Sequence, residues 1–190
     1  MKNIFNKKSM NFPKFKVSNA LKEFTLEPFQ TNIIKTQARE EKSIIFGARS
    51  IQAQIGTIAA RDTVDWDIFT STPKKSALKT EKKLDNLYGS NRFYTKPALH
   101  AGTHKVMNIG GDGRKGTRDD FGVVDYSKMP KPRPRTILIQ GNRYRELPTE
   151  KARKFKALRD KTQKFRHEKD REDVERIKFI TGQKRWERYY

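Results

Sequence analysis

Apolar positions along this chain recur with two periods, and each marks an element. Ile44–Phe46 is an apolar run of strand type. Ser50–Ala60 follows with good helix formers and apolar residues at Ile51, Ile55 and Ile58, the spacing of a helix that packs one face on a sheet. Val64–Phe69 predicts the next strand, and a short helix is expected before this unit, around Thr36–Lys42. Thr72-Pro73 opens a helix, Thr72 as N-cap and Pro73 at the first position. Its apolar positions are Ala77, Leu78, Leu84 and Leu87, and Gly89 ends it.

The second half is more punctuated. Asn91–Thr95 and His104–Ile109 read as paired strands, with His100 and His104 as solvated imidazoles at their turn. Gly122–Tyr126 reads as another strand, Val123 and Val124 preceding Asp125. Between them Gly110, Gly111, Gly113 and Gly116 predict a hairpin turn rather than a phosphate cradle, because the pattern Gly-x4-Gly-Lys-Ser/Thr is absent. Asp112, Asp119 and Asp120 in that loop are weak metal candidates for the same reason. Residues 127–135 hold three prolines and four basic residues, an extended connector. Thr136–Ile139 and Asn142–Leu147 flank a turn at Gly141, and from Thr149 helix formers run to Thr181-Gly182. The expected divisions are a basic arm over 1–22, a core over 23–126, a Pro/Arg-rich connector with a short strand over 127–148, and a basic helical segment over 149–190. The expected fold class is α+β, a small mixed sheet flanked by helices with a basic helical C-terminal extension.

Charge narrows the partner. The 190 residues carry 43 Lys and Arg against 22 Asp and Glu, a net charge of +21. Such a balance predicts a polyanionic partner, foremost nucleic acid, although surplus lysine also serves plain solubility. Residues 1–22 contain no acidic residue, and residues 128–190 hold 21 basic against 9 acidic residues. With 34% hydrophobic and 34% charged residues the core is modest. There is no cysteine, which excludes disulfides, thiolate metal sites and a cysteine nucleophile. Three scattered histidines do not make a zinc site. No apolar run of membrane-spanning length exists, and the N-terminus lacks the apolar stretch of a secretory signal, so the expected location is cytoplasmic or virion-associated, not secreted.

The candidate chemistry sits in Asp65-Trp66-Asp67. Two aspartates one residue apart on a strand point to one side. Two carboxylates that close repel unless a cation or a proton lies between them, which suggests a divalent-metal site. An acidic turn after a helix explains the same residues without function. Trp66, facing the other way, is expected in the core. Arg61 is expected to pair with one of the aspartates.

The order of these parts resembles the nucleotidyltransferase superfamily, which includes DNA polymerase beta and poly(A) polymerases. That family places an apolar strand, Gly-Gly or Gly-Ser opening a helix, Asp-x-Asp on the next strand and a third carboxylate on a later strand. Here Gly47 and Ser50 stand in the first motif, Asp65 and Asp67 in the second, and Asp125 in the place of the third. The run from Arg61 to Phe69 is most similar to the abortive-infection toxin and viral branches. The turn departs from the pattern, reading Gly47-Ala48-Arg49-Ser50. The segment Lys169-Asp170-Arg171-Glu172-Asp173 is similar to a family helix that packs beside the active site; pairs such as Arg166–Asp170 and Glu172–Arg176 would equally suit an ion-laced helix.

The resemblance implies metal-dependent nucleotidyl transfer from a nucleoside triphosphate to an acceptor hydroxyl, on or near nucleic acid. Asp65, Asp67 and Asp125 would be the catalytic and metal-binding residues, with two magnesium ions or manganese in their place. Gly47, Ala48, Arg49 and Ser50 would bind the nucleotide through the helix N-terminus. The alternative is a non-catalytic, basic protein of this fold that binds nucleic acid or serves as a structural component of a virus particle or ribonucleoprotein. No membrane partner is expected.

Overall fold

The computed structural model describes residues 19–56, 63 and 65–186. The basic arm up to residue 18, the helix continuation to Ala60, and Arg61 lie outside the described residues. The element order is α1 (Asn19–Glu40), β1 (Ile44–Phe46), α2 (Gly47–Ile55), β2 (Trp66–Thr70), α3 (Pro73–Tyr88), β3 (Phe93–Pro97), β4 (Thr103–Asn108), β5 (Phe121–Lys128), β6 (Thr136–Ile139), β7 (Asn142–Arg145), α4 (Leu147–Arg159) and α5 (His167–Trp186), with a 3-10 turn at Lys161–Arg166 between the last two. The strands form one mixed sheet in the order β3-β4-β5-β2-β1-β7-β6. The pairs β2–β5 and β1–β7 are parallel and the rest antiparallel. The α+β class with a mixed sheet and flanking helices is therefore the observed one.

One face of the sheet is covered by α1 and α3. Ile34 and Ala38 of α1 and Ala77 and Leu84 of α3 pack on Ile45, Trp66, Ile68, Val106, Val124 and Tyr126. Trp66 is 3% exposed, in the core as expected. The buried Tyr126 hydroxyl shares a 2.6 Å hydrogen bond with Thr80, and burial pushes its phenol far above the usual range. Because side chains alternate along a strand, the neighbours of these core residues, Asp67 and Asp125 among them, belong to the opposite face.

Four expectations are corrected. The short helix at Thr36–Lys42 is the end of the much longer α1. Its inward row includes Gln37, which is fully buried and donates to the Ser76 carbonyl at 2.8 Å, so an apolar count passes over it. Helix α2 begins at Gly47 rather than Ser50, which makes Gly-Ala-Arg-Ser its first turn. Thr72 precedes α3 but its side chain makes no capping bond. The helical tail is broken at Asp160, whose carboxylate accepts from the Thr162 amide at 2.9 Å and from the Thr162 hydroxyl at 2.6 Å. That local cap competes with helix propagation.

The hairpin expected around Gly141 is present, with Gln140 and Gly141 at φ of 49° and 77° between β6 and β7. Both central residues at positive φ match the twist of a two-residue hairpin. The glycine-rich loop joins β4 to β5 and is held by its own acids. Asp120 accepts from the Tyr94 hydroxyl and the Gly110 and Gly116 amides, and Asp119 from Thr117 and the Asp112 amide. Among the described residues no helix is long and apolar enough to cross a membrane.

Candidate functional site

Parallel pairing of β2 with β5 sets Asp67 directly opposite Asp125. Register partners on adjacent strands share a face and lie about 4.8 Å apart in backbone. Asp65 sits one residue before β2 instead of within it, exposed, and accepts a 2.7 Å hydrogen bond from Thr63. Asp65, Asp67 and Asp125 are near enough for their charges to act on one another, on the face opposite α1 and α3. Burial pushes the Asp67 carboxyl up to about 7, helped by the charges of Asp65 and Asp125 and opposed by Arg153. Burial also raises Asp125, against the pull of Lys105.

Asp125 is already engaged. Lys105, its register partner on β4, holds its Oδ2 at 3.0 Å from Nζ. Among the described residues no three acidic or imidazole groups are gathered closely enough to form a preformed metal cage. The donor set still fits a hard divalent cation. Asp67 and Asp65 are oxygen donors of the kind magnesium takes, and burial, with the Asp65 and Asp125 charges, disfavours the bare Asp67 carboxylate that a cation would neutralise.

The first turn of α2 lies against this cluster. Gly47 has φ of +70°, and a Cβ placed there would overlap the Asp67 carboxylate. Its amide donates at 2.9 Å to Glu150 Oε1, from the first turn of α4. Glu150 is fully buried, with Arg153 Nε at 3.1 Å and Arg145 at 3.5 Å. The Arg145 guanidinium also lies over the stacked rings of Phe46 and Phe69, whose centroids are 3.8 Å apart, and that of Arg153 over Phe46. An anion bound by a helix N-terminus and two arginines is the arrangement that receives phosphate; here the chain's own carboxylate fills it.

The remaining residues of the expected cradle are turned elsewhere. Ala48 is buried. The Ser50 hydroxyl is buried and donates to the Arg145 carbonyl at 2.6 Å. Arg49 stacks on Trp66 at 4.8 Å and donates to Gln52 at 3.0 Å. Sequence reasoning passed over Glu150, Arg153 and Arg145, because nothing in a helix-opening Pro-Thr-Glu or a strand-end arginine signals that α4 will meet Gly47.

In the C-terminal segment, Asp170 and Asp173 both grip the buried Lys154 of α4, at 2.9 and 2.6 Å. The pairs Arg166–Asp170 and Glu172–Arg176 are also present, at 3.2 and 3.7 Å. One prediction arises from Gly47. Gly47→Ala should lower stability by about 1–3 kcal/mol from positive φ alone, and further by displacing Asp67. A urea midpoint equal to wild type would show that the turn relaxes freely.

No protein-family profile matches the chain, and no curated protein matches it in sequence. Solved structures do match in fold. The Megavirus polyadenylate synthase superposes with a TM-score of 0.65 at 14% identity, over 93% of this chain and 40% of that one. JHP933 from Helicobacter pylori superposes with a TM-score of 0.52 at 12% identity, over 80% of this chain and 64% of that one. This chain therefore spans less than two thirds of either neighbour. With strand, glycine-opened helix and aspartate strand in the expected order, the chain has a nucleotidyltransferase-like fold.

Proposed function

We propose that the protein transfers a nucleotidyl group from a nucleoside triphosphate to an acceptor hydroxyl, with nucleic acid as acceptor. The observation that carries this reading is the in-register pair Asp67–Asp125 with Asp65 beside it, at the N-terminus of α2. The fold neighbour that is a polyadenylate synthase supports it, and the net charge of +21 favours a polyanionic acceptor. Asp65 and Asp67 are the residues that would hold magnesium, and Asp125 would join them once Lys105 releases it. Bound there, the metal supplies charge neutralisation for the triphosphate and for the acceptor oxygen. Arg145 and Arg153 would take phosphate oxygens once Glu150 yields the Gly47 amide. The acceptor oxygen bonds to the α-phosphorus, the α–β bridging bond breaks, and pyrophosphate leaves with its electron pair while the acceptor proton passes to solvent.

A second reading is favoured by the same contacts. Glu150 in the cradle and Lys105 on Asp125 leave a site closed by its own side chains, which suits a basic, non-catalytic component of a virus particle or ribonucleoprotein. Incubation with magnesium, each labelled nucleoside triphosphate and single-stranded RNA or DNA separates the two. The catalytic reading expects label on the acceptor, absent when a chelator is added. No transfer to any acceptor supports the scaffold.

A further inference from the structure

The basic groove at the start of α3 has no part in the site above. It encloses about 570 Å³ and is walled by Pro73, Lys74, Lys75, Leu78, His104 and Lys128. His104 is the register partner of Tyr126, and Lys128 lies two residues beyond Tyr126 on β5. Both therefore belong to the helix-covered face, and the groove lies behind the sheet from Asp67 and Asp125.

Four observations give the groove a ligand class. No acidic residue lines it. Lys79 and Lys83, further along the same helix, are neutralised by Glu40, whereas Lys74, Lys75 and Lys128 are exposed and have no carboxylate partner among the described residues. In the wall, His104 Nδ1 is buried without a hydrogen-bond partner, an orphaned polar atom of the kind a ligand satisfies. The floor is apolar, with Leu78 48% exposed.

We infer that this groove binds a segment of single-stranded nucleic acid, its phosphates on Lys74, Lys75 and Lys128 and a ribose or base on Leu78 and Pro73. A concavity of this size suits a nucleotide-sized group, and cationic walls with an apolar floor suit a strand whose bases are free to turn in. The inference rests on the proposed reaction only in naming the strand as its acceptor. The groove would then hold the acceptor away from the reacting end, which passes around the sheet edge to Asp67.

The test measures binding of a short fluorescein-labelled single-stranded RNA by anisotropy, without metal or nucleotide. Lys74→Glu/Lys75→Glu/Lys128→Glu is compared with Lys156→Glu/Lys161→Glu/Lys164→Glu, an exposed set with the same charge change. The groove variant should bind at least about tenfold more weakly than the control and lose about 2 from the slope of log affinity against log salt. The glutamine version of the groove triple should show a smaller loss in the same direction, which guards against misfolding of the glutamate version. Equal loss in groove and control variants overturns the inference and leaves the aspartate site untouched. Failure of transfer with the groove effect intact counts against the reaction alone.

Discussion

Replacing Asp67 by Asn is expected to lower the proposed nucleotidyl transfer by about 10²–10³ or more, since it removes charge from the set proposed to hold the metal. The same change should stabilise the metal-free protein in a pH-dependent way. In the folded state the Asp67 carboxyl is pushed up to about 7 from an ordinary 3.8. Between those values the folded protein keeps a proton that the unfolded chain has released, so this group's contribution to stability falls as pH rises from about 4 to 7. Asparagine does not titrate. The variant and wild type should therefore melt alike near pH 4, and the variant should be more stable above pH 7, by on the order of 1–3 kcal/mol. Magnesium should raise the melting temperature of wild type at pH 8, hardly at pH 5, and not that of Asp67→Asn. Because the Asp67 and Asp125 carboxylates stand in register and act on one another, the transition in wild type should be broad. A stability difference that does not change with pH, or an equal magnesium response in both proteins, would contradict this description of the site.

The largest effect on stability is expected at Lys154. Its side chain is 2% exposed and its ammonium lies between the side chains of Asp170 and Asp173, each 1% exposed. Burial pushes Asp170 up, but Lys154 and Arg166 outweigh it and hold the carboxyl below its usual range. Lys154→Met removes the ammonium that the two buried carboxylates share, leaving Asp170 to Arg166, and should cost about 3–5 kcal/mol. Changing Asp170 and Asp173 to Leu in the same protein should recover most of that loss, because a buried ion cluster and a packed apolar one differ little in stability. Urea unfolding measures both. A loss under about 1 kcal/mol in the single variant would mean that water already reaches the cluster. The consequence extends to the site. Glu150 and Arg153 stand on the same α4 helix as Lys154, so loosening α4 from α5 should also displace the groups that clamp Gly47 and face Asp67.

The aspartate strand, α3 and the β6–β7 hairpin were legible because local physics dictates them. Alternation brackets Trp66 and Ile68, Pro73 and Gly89 delimit α3, and Gly141 supports the turn. The strand of Asp125 was legible because two β-branched residues precede it, while its candidacy as a third carboxylate came from the family resemblance. What escaped has non-local causes. Glu150 reaches Gly47 across 103 positions of chain, and no periodicity encodes that meeting. Lys105 was unremarkable as a sequence feature, yet its register on β4 decides the state of Asp125. Ser50 stood at a motif position, but starting α2 at Gly47 turned its hydroxyl into the interior. The Asp170–Asp173 pair fitted a functional helix and an ion-laced one alike; its buried partner Lys154 lies on another helix and shows only in the fold.

We propose that Asp65, Asp67 and Asp125 form a magnesium–nucleotide site gated by Lys105 and Glu150. A crystal structure of the wild-type protein with magnesium and a non-hydrolysable nucleoside triphosphate tests it most directly. The expected result is metal on Asp65 and Asp67, Asp125 parted from Lys105, and phosphate oxygens near Arg145 and Arg153 with Glu150 moved off the Gly47 amide. A structure in which Lys105 still holds Asp125, Glu150 still caps Gly47, and no metal or nucleotide meets the aspartates at saturating ligand would contradict it.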